Sequence, residues 1–341
     1  IAVISFKLEG QLVMRNPDFD MSHRLLLDKI DYEKGTIFID GADYPLKDYY
    51  FPTIDPKNPY ALTPEEELVM NKLTSSFLNS AKLQDDVSFL FAKGSVYLVY
   101  NNNLMLHGCI PMKSETEFKE FNHKGRMVKG KELLDALEQT IRNVWVNRFN
   151  QTNNDGDYFW YLWCGACSPI FGKHRMATFE RYFIADKETH KEQKGYYYTL
   201  RDNAAVCDSI MDAFGVRGLH RHIINGHVPV RAANGENPIK ADGKLMVIDG
   251  GFAKAYHDTT GIAGYTLVYH SRGFQLVQHA PFTSTEEAIL NGTDIRSTTQ
   301  IVEMMGQRAM VNDTDKGAEL REQIADLEKL LVAYRRGFIK E

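Results

Sequence analysis

The sequence predicts an α/β fold, and three features predict it. Short runs of β-formers bounded by glycine and asparagine turns recur, at 95–107 and again from 221 to 279. Between and around them lie stretches with helical periodicity and recognisable caps. The composition, 43% hydrophobic and 25% charged over 341 residues, supplies enough apolar material for a sizeable core.

Taken in order, the first stretch reads as irregular, although SFKLEGQLV is apolar enough for a strand or a helix. Thr36–Asp40 reads as a short strand, and Asp40-Gly41 suits a hairpin turn because both residues tolerate positive φ. A proline-rich loop, FPTIDPKNPY, follows. Thr63, Pro64 and Glu66 announce a helix start: a capping box with proline at the first helical position. A second helix ends near Lys93, with Gly94 just past its end. Ser95–Tyr100 and Leu104–His107 read as strands joined by an asparagine turn. Lys131–Phe149 is an amphipathic helix with Leu133, Leu134, Leu137, Ile141, Val144 and Trp145 on one face.

Gln151–Asp157 is a polar loop, and Tyr158–Tyr198 is aromatic and basic without a clean period. Asp202–Phe214 is a helix closed by Gly215. Strands then follow at Arg221–Asn225, Lys244–Ile248, Tyr265–His270 and Phe274–His279, the last two linked by Ser271-Arg272-Gly273. Ser284 and Glu287 form another capping box. Gly317–Tyr334 is a charged helix with Leu320, Ile324, Leu327 and Leu331 on one stripe, a seam for the body of the protein or for a second subunit of a homo-oligomer.

The net charge of −5, with no basic stripe, argues against a nucleic-acid partner. No apolar run spans a bilayer, and the start lacks a signal peptide's basic region and cleavage site. Four cysteines, Cys109, Cys164, Cys167 and Cys207, suit a reducing compartment. Cys164-Gly-Ala-Cys167 has no second pair to complete a zinc site, so reduced packing thiols are expected. No Walker or dinucleotide fingerprint is present.

Two motifs carry chemistry. Leu106-His107-Gly108-Cys109-Ile110-Pro111 places a histidine at the end of an apolar strand, and Asn225-Gly226-His227-Val228-Pro229 does the same after RHII. A strand anchors each imidazole, and the adjacent glycine allows close approach. Ligands collect at the carboxyl ends of strands in open sheets, and imidazole suits first-row metals. Either histidine alone reads more readily as a hydrogen-bonded structural residue than as a metal ligand.

Together with Val247-Ile248-Asp249-Gly250-Gly251, the two motifs resemble those of calcineurin-like metallophosphoesterases. The runs FLFAKGSVYLVYNNNLMLHGCIP, SPIFGKHRMATFERYF, HRHIINGHVPV and VIDGGFAKAYHDTTGIAGYTLVYHS further resemble the class 3, Firmicutes-type fructose-1,6-bisphosphatases, over nearly the whole chain. The resemblance implies the C-terminal part of a metallophosphoesterase β-sandwich flanked by helices, with helical insertions. It implies a cytoplasmic gluconeogenic phosphatase that hydrolyses fructose 1,6-bisphosphate with two Mn2+ ions.

By that resemblance His107 and His227 bind metal, and Gly108, Gly226 and Asp249 support the site. Arg221, Lys254 and Tyr256 are expected to contact the anionic substrate; a salt-bridged Arg221 and a solvated Lys254 are the alternatives. Tyr158–Arg181 reads as a lid over the sugar or as ordinary aromatic packing. His220, His222, His257, His270 and His279 read as structural, since alternation puts His222 on the face opposite Arg221.

The family's front motifs, D-x-H, G-D-x-x-D-R-G and G-N-H-D, do not occur. Asp18-Phe19-Asp20 and Asp40-Gly41-Ala42-Asp43 do not match them. With Ile1 as the first residue, the expectation is a chain completed by a missing N-terminal part that carries the remaining ligands and the general acid. The expected organisation is a partly helical connecting region (1–94), core segments 95–115 and 202–283, a helical, aromatic insertion (116–201) and a helical tail (284–341). Other readings are a related metallophosphoesterase acting on another ester, or a non-catalytic binding or regulatory fragment.

Overall fold

The computed structural model describes residues 1–150, 153–282, 284–292 and 297–339. Gln151 and Thr152 of the expected polar loop, Thr283 at the end of the expected core, and Lys340 and Glu341 of the tail lie outside the described residues. The fold is mixed α/β and divides into two compact units: Ile1–Val96 with Gly108–Leu200, and Tyr97–His107 with Arg201–Glu341. The segment expected as one piece from 95 to 115 is thus shared, changing unit between Val96 and Tyr97 and again between His107 and Gly108.

In the first unit the opening stretch, expected to be irregular, is the helix Ala2–Arg15, which buries Phe6, Leu12 and Val13. Its irregular look comes from a buried polar face. Lys7 is fully buried and donates to Glu66 at 2.8 Å. Buried Glu9 pairs with Arg24. Such charges interrupt an apolar stripe yet remain inside because each has a partner. Phe6 joins Ile37, Ile39, Leu46, Phe51, Tyr60, Phe179 and Ile184 in one core, beside an antiparallel sheet of Ile30–Asp31, Thr36–Ile39 and Ala42–Pro45.

Asp40 (φ 51) and Gly41 (φ 89) make the expected hairpin turn. The Thr63/Glu66 capping box opens the helix Pro64–Leu78. Ala81–Lys93 ends as expected, but Gly94 is extended (φ −88) rather than left-handed. Glycine fits there because a Cβ would lie 2.6 Å from the Leu90 carbonyl oxygen. The amphipathic helix is Gly130–Val146, with Leu133, Leu134 and Leu137 fully buried.

The second unit is built on a five-stranded sheet, in the order Tyr97–Tyr100, Asn103–Leu106, His222–Asn225, Leu245–Val247, Ile239–Lys240. The three middle strands are parallel and in register, with Leu106 opposite Asn225 and Asn225 opposite Val247. Leu104, Ile223, Leu245 and Val247 are buried on one face, the side of the helix Ala204–Ala213. On the other face Ile224 and Met246, with Met105 and Ile248 beside them, pack against Leu267, Phe274 and Val302 of an antiparallel sheet. That sheet comprises Gly264–His270, Gly273–His279 and Ser297–Met304. The last strand was not foreseen, because STTQIVEM has no alternation of burial: six of its eight residues are exposed.

Among the described residues no helix is long and apolar enough to cross a membrane. All four cysteines are buried free thiols, and burial pushes Cys109, Cys164 and Cys207 up to about 12. Cys164 donates toward the Trp160 carbonyl and Cys167 toward that of Glu120, so the two sulfurs serve separate packing roles.

Candidate metal centre

The parallel strands Asn103–Leu106, His222–Asn225 and Leu245–Val247 end level with one another. Their carboxyl ends deliver His107, Gly226-His227 and Asp249 to one edge of the sheet. Backbone bonds carry the ladder beyond the strands. The Gly226 amide donates to the His107 carbonyl at 2.8 Å, Ile248 to Asn225 at 2.9 Å, and Val230 to Asp249 at 2.9 Å. The loops are therefore held to the strands that aim them, as a rigid site requires.

The two imidazoles meet there. His107 Nε2 lies 3.1 Å from His227 Nδ1, with ring centroids 5.0 Å apart and planes at 70°. His107 is exposed and His227 half-buried. His227 has a φ of 68, left-handed backbone that side-chain-bearing residues adopt at a cost and that gathers at functional sites. This conformation turns the chain directly after Gly226, between the strand and Val228-Pro229.

Gly226, expected to allow close approach, has room for a side chain, since only ordinary contacts would meet it. A Cβ there would sit 3.5 Å from the His107 carbonyl oxygen and 3.6 Å from Asp249 Cβ. Asp249 is fixed in turn, its Oδ1 accepting from the Gly251 amide at 2.9 Å. Gly250 is the glycine that close approach requires, since a Cβ would lie 2.5 Å from Gly264 Cα. Gly108 serves the first unit, where a Cβ would strike the Pro169 carbonyl oxygen at 2.6 Å.

At 3.1 Å the two ring nitrogens are within hydrogen-bond distance of each other, and both could instead turn their lone pairs to one first-row cation. Among the described residues no group of three or more histidine, cysteine or acidic side chains is placed to hold a metal. The two histidines by themselves do not make a closed metal site.

Of the expected substrate contacts, Arg221 falls elsewhere. Arg221 precedes the strand whose far end leads to His227, so it lies at the opposite edge of the sheet. Its guanidinium bonds Asp212 Oδ1 at 2.5 Å, Asp208 Oδ1 at 2.9 Å and the Val216 carbonyl at 2.9 Å. Burial opposes ionisation of Asp208, but bonds from Lys244 and Arg221 hold its carboxyl below the usual range. The salt-bridged alternative for Arg221 is the arrangement found. Lys254 and Tyr256 stand exposed on the short turn after Gly251. Tyr256 folds back on Gly251, its Cβ 2.8 Å from where a Gly251 Cβ would be.

One polar cluster escaped sequence reasoning. Buried His222 lies between Asn103 Oδ1 at 3.1 Å and Glu303 Oε2 at 3.3 Å, edge-on to Phe274. Glu303 also takes His220 Nδ1 at 2.7 Å. Glu303 belongs to the unforeseen strand, so only the pairing of the two sheets could reveal it.

Three parallel strands thus bring two histidines and an aspartate to their carboxyl ends, at one side of the sheet. The family comparison is specific: a profile described as Firmicute fructose-1,6-bisphosphatase matches residues 1–336. The chain belongs to that family. It is 57% identical over 347 residues to a Phocaeicola vulgatus protein named fructose-1,6-bisphosphatase class 3. It is 55% identical over 343 residues to a protein of that name from Parabacteroides distasonis, and 54% identical over 343 residues to one from Clostridioides difficile. Each alignment covers 100% of this chain but 52% of the relative, so the chain spans about half the length of the curated relatives it matches. No solved structure matches.

Proposed function

We propose that this chain forms part of a metal-dependent phosphatase that hydrolyses fructose 1,6-bisphosphate to fructose 6-phosphate and phosphate, a cytoplasmic step of gluconeogenesis. The observation that carries the reading is the 3.1 Å approach of His107 Nε2 to His227 Nδ1 at the ends of adjacent parallel strands. Family membership over residues 1–336 supports the substrate. His107 and His227 would hold one Mn2+ of a two-metal site, with Asp249 and Gly226 fixing the loops around it. The remaining ligands and the general acid would come from the part of the relatives' length that this chain does not span. When bound, such metals polarise the phosphoryl oxygens and lower the pKa of bound water. The facing five- and three-stranded sheets of the second unit fit the C-terminal part of a metallophosphoesterase sandwich. Exposed Lys254 is a candidate for a substrate phosphate, with Tyr256 beside it.

The test is phosphate release from fructose 1,6-bisphosphate with added manganese, using protein extended to the length of its relatives, as wild type and His227→Ala. Release that collapses in the variant supports both the activity and the histidine's role. No release from the wild type across sugar phosphates overturns the bisphosphatase reading.

A further inference from the structure

The C-terminal helix Asp315–Arg335 is attached at one end. Thr314 caps it through the Gly317 amide, the Asp315 amide donates to Asn101 Oδ1 at 2.9 Å, and Gly317 is buried, with Val311 and Asn312 where a Cβ would go. Every residue from Ala318 to Val332 is exposed. Yet Leu320, Ile324, Leu327, Leu331 and Tyr334 recur at spacings of four, three, four and three, the heptad alternation that places them on one seam. Ile324 is 55% and Leu327 63% exposed. A solvated helix has no use for such a seam, and apolar exposure on this scale marks an interaction surface.

We propose that this helix pairs with the same helix of a second copy of this chain, antiparallel and about a two-fold axis. The flanking charges favour a second copy and set its direction. With the seam residues as core positions, Arg321, Glu328 and Arg335 flank it on one side, and Lys316, Gln323 and Leu330 on the other. A parallel, in-register pair would place Lys316 against the partner copy's Arg321, like against like, on both sides. An antiparallel pair that sets Ile324 against the partner copy's Leu327, and Leu320 against its Leu331, brings Arg321 opposite Glu328. Two-fold symmetry makes that contact twice. The seam is thus complementary to itself in both shape and charge. In this arrangement Tyr334 reaches the far end near Gly317, where Met310 and Val311 are exposed. The buried surface, on the order of 1,000 Å² in total, sits at the threshold for a specific interface.

Sedimentation equilibrium of the protein extended to the length of its relatives, across a concentration series, tests this. The wild type gives a monomer–dimer equilibrium, and Leu327→Asp weakens it at least ~100-fold, with the helical circular dichroism of the monomer retained. Arg321→Glu and Glu328→Arg each weaken it several-fold, and the double variant recovers most of the loss, because the reversed charges again face each other. The two charge variants keep the test decisive if Leu327→Asp perturbs folding. A wild type that stays monomeric throughout, or a dimer indifferent to Leu327→Asp, overturns the proposal. So does dimerisation tightened by Arg321→Glu, the outcome of a parallel pair, or a double variant no better than the single ones.

Discussion

His107 and His227 are 120 positions apart in the chain, yet their Nε2 and Nδ1 atoms lie 3.1 Å apart. Two imidazoles at this distance can meet in two ways. One donates its N–H to the other's lone pair, or both turn lone pairs onto one cation. In protein extended to the length of its relatives, His107→Ala and His227→Ala are each expected to weaken manganese binding by at least ~10-fold. Neither side chain is a core residue, so the urea midpoint changes little. Titration calorimetry with manganese, beside urea unfolding of the same variants, checks both halves. Unchanged affinity in either variant would remove that histidine from the site.

The left-handed backbone of His227 (φ 68) yields a prediction independent of metal. Glycine adopts this conformation freely, whereas alanine keeps the Cβ that disfavours it. His227→Gly should therefore be more stable than His227→Ala by about 1 kcal/mol, even though glycine is the more flexible residue when unfolded. Urea unfolding of the two variants measures the difference. Equal stability, or a more stable alanine variant, would show that the turn relaxes when the imidazole is removed.

Arg221 is held by Asp208, Asp212 and the Val216 carbonyl, at the sheet edge opposite the histidines. Arg221→Gln is expected to leave KM for fructose 1,6-bisphosphate within about two-fold, while stability falls by up to about 1 kcal/mol. Steady-state kinetics of the extended protein decide it. A KM raised ten-fold with unchanged stability would restore the guanidinium to the substrate.

What was legible in the sequence follows from how local its cause is. The turns at Asp40-Gly41 and Asn101-Asn102, the Thr63/Glu66 cap and the helix around Leu133–Val144 rest on neighbours in sequence, and each is found. The two histidine motifs were legible because strand, glycine and imidazole are contiguous. The opening helix was missed because buried Lys7 and Glu9 look like surface residues until Glu66 and Arg24 are brought to them. Arg221 was misplaced for a related reason. Six positions along a strand and its loop suggest nearness to His227, but they carry the chain from one edge of the sheet to the other. Glu303 needed the third strand of a sheet whose exposed residues give no period.

Buried His222 makes stability depend on pH. Burial lowers its pKa, only partly offset by Glu303, so at neutral pH it is uncharged between Asn103 and Phe274. Its folded pKa lies below the unfolded value of about 6.5, so the unfolded chain binds the extra proton first and stability rises with pH through that window. The contribution is complete above pH 6.5 and is lost as pH falls toward the folded pKa. His23, His123 and His174 are lowered by burial as well and act in the same direction. Glu180, raised by burial, acts in the opposite direction at lower pH. His222→Gln keeps a polar group for Asn103 but cannot take up a proton. It is expected to cost about 1–2 kcal/mol at pH 7.5 and to reduce the fall in urea midpoint between pH 7.5 and pH 5.5. An undiminished fall in the variant would assign the acid sensitivity to the other three histidines.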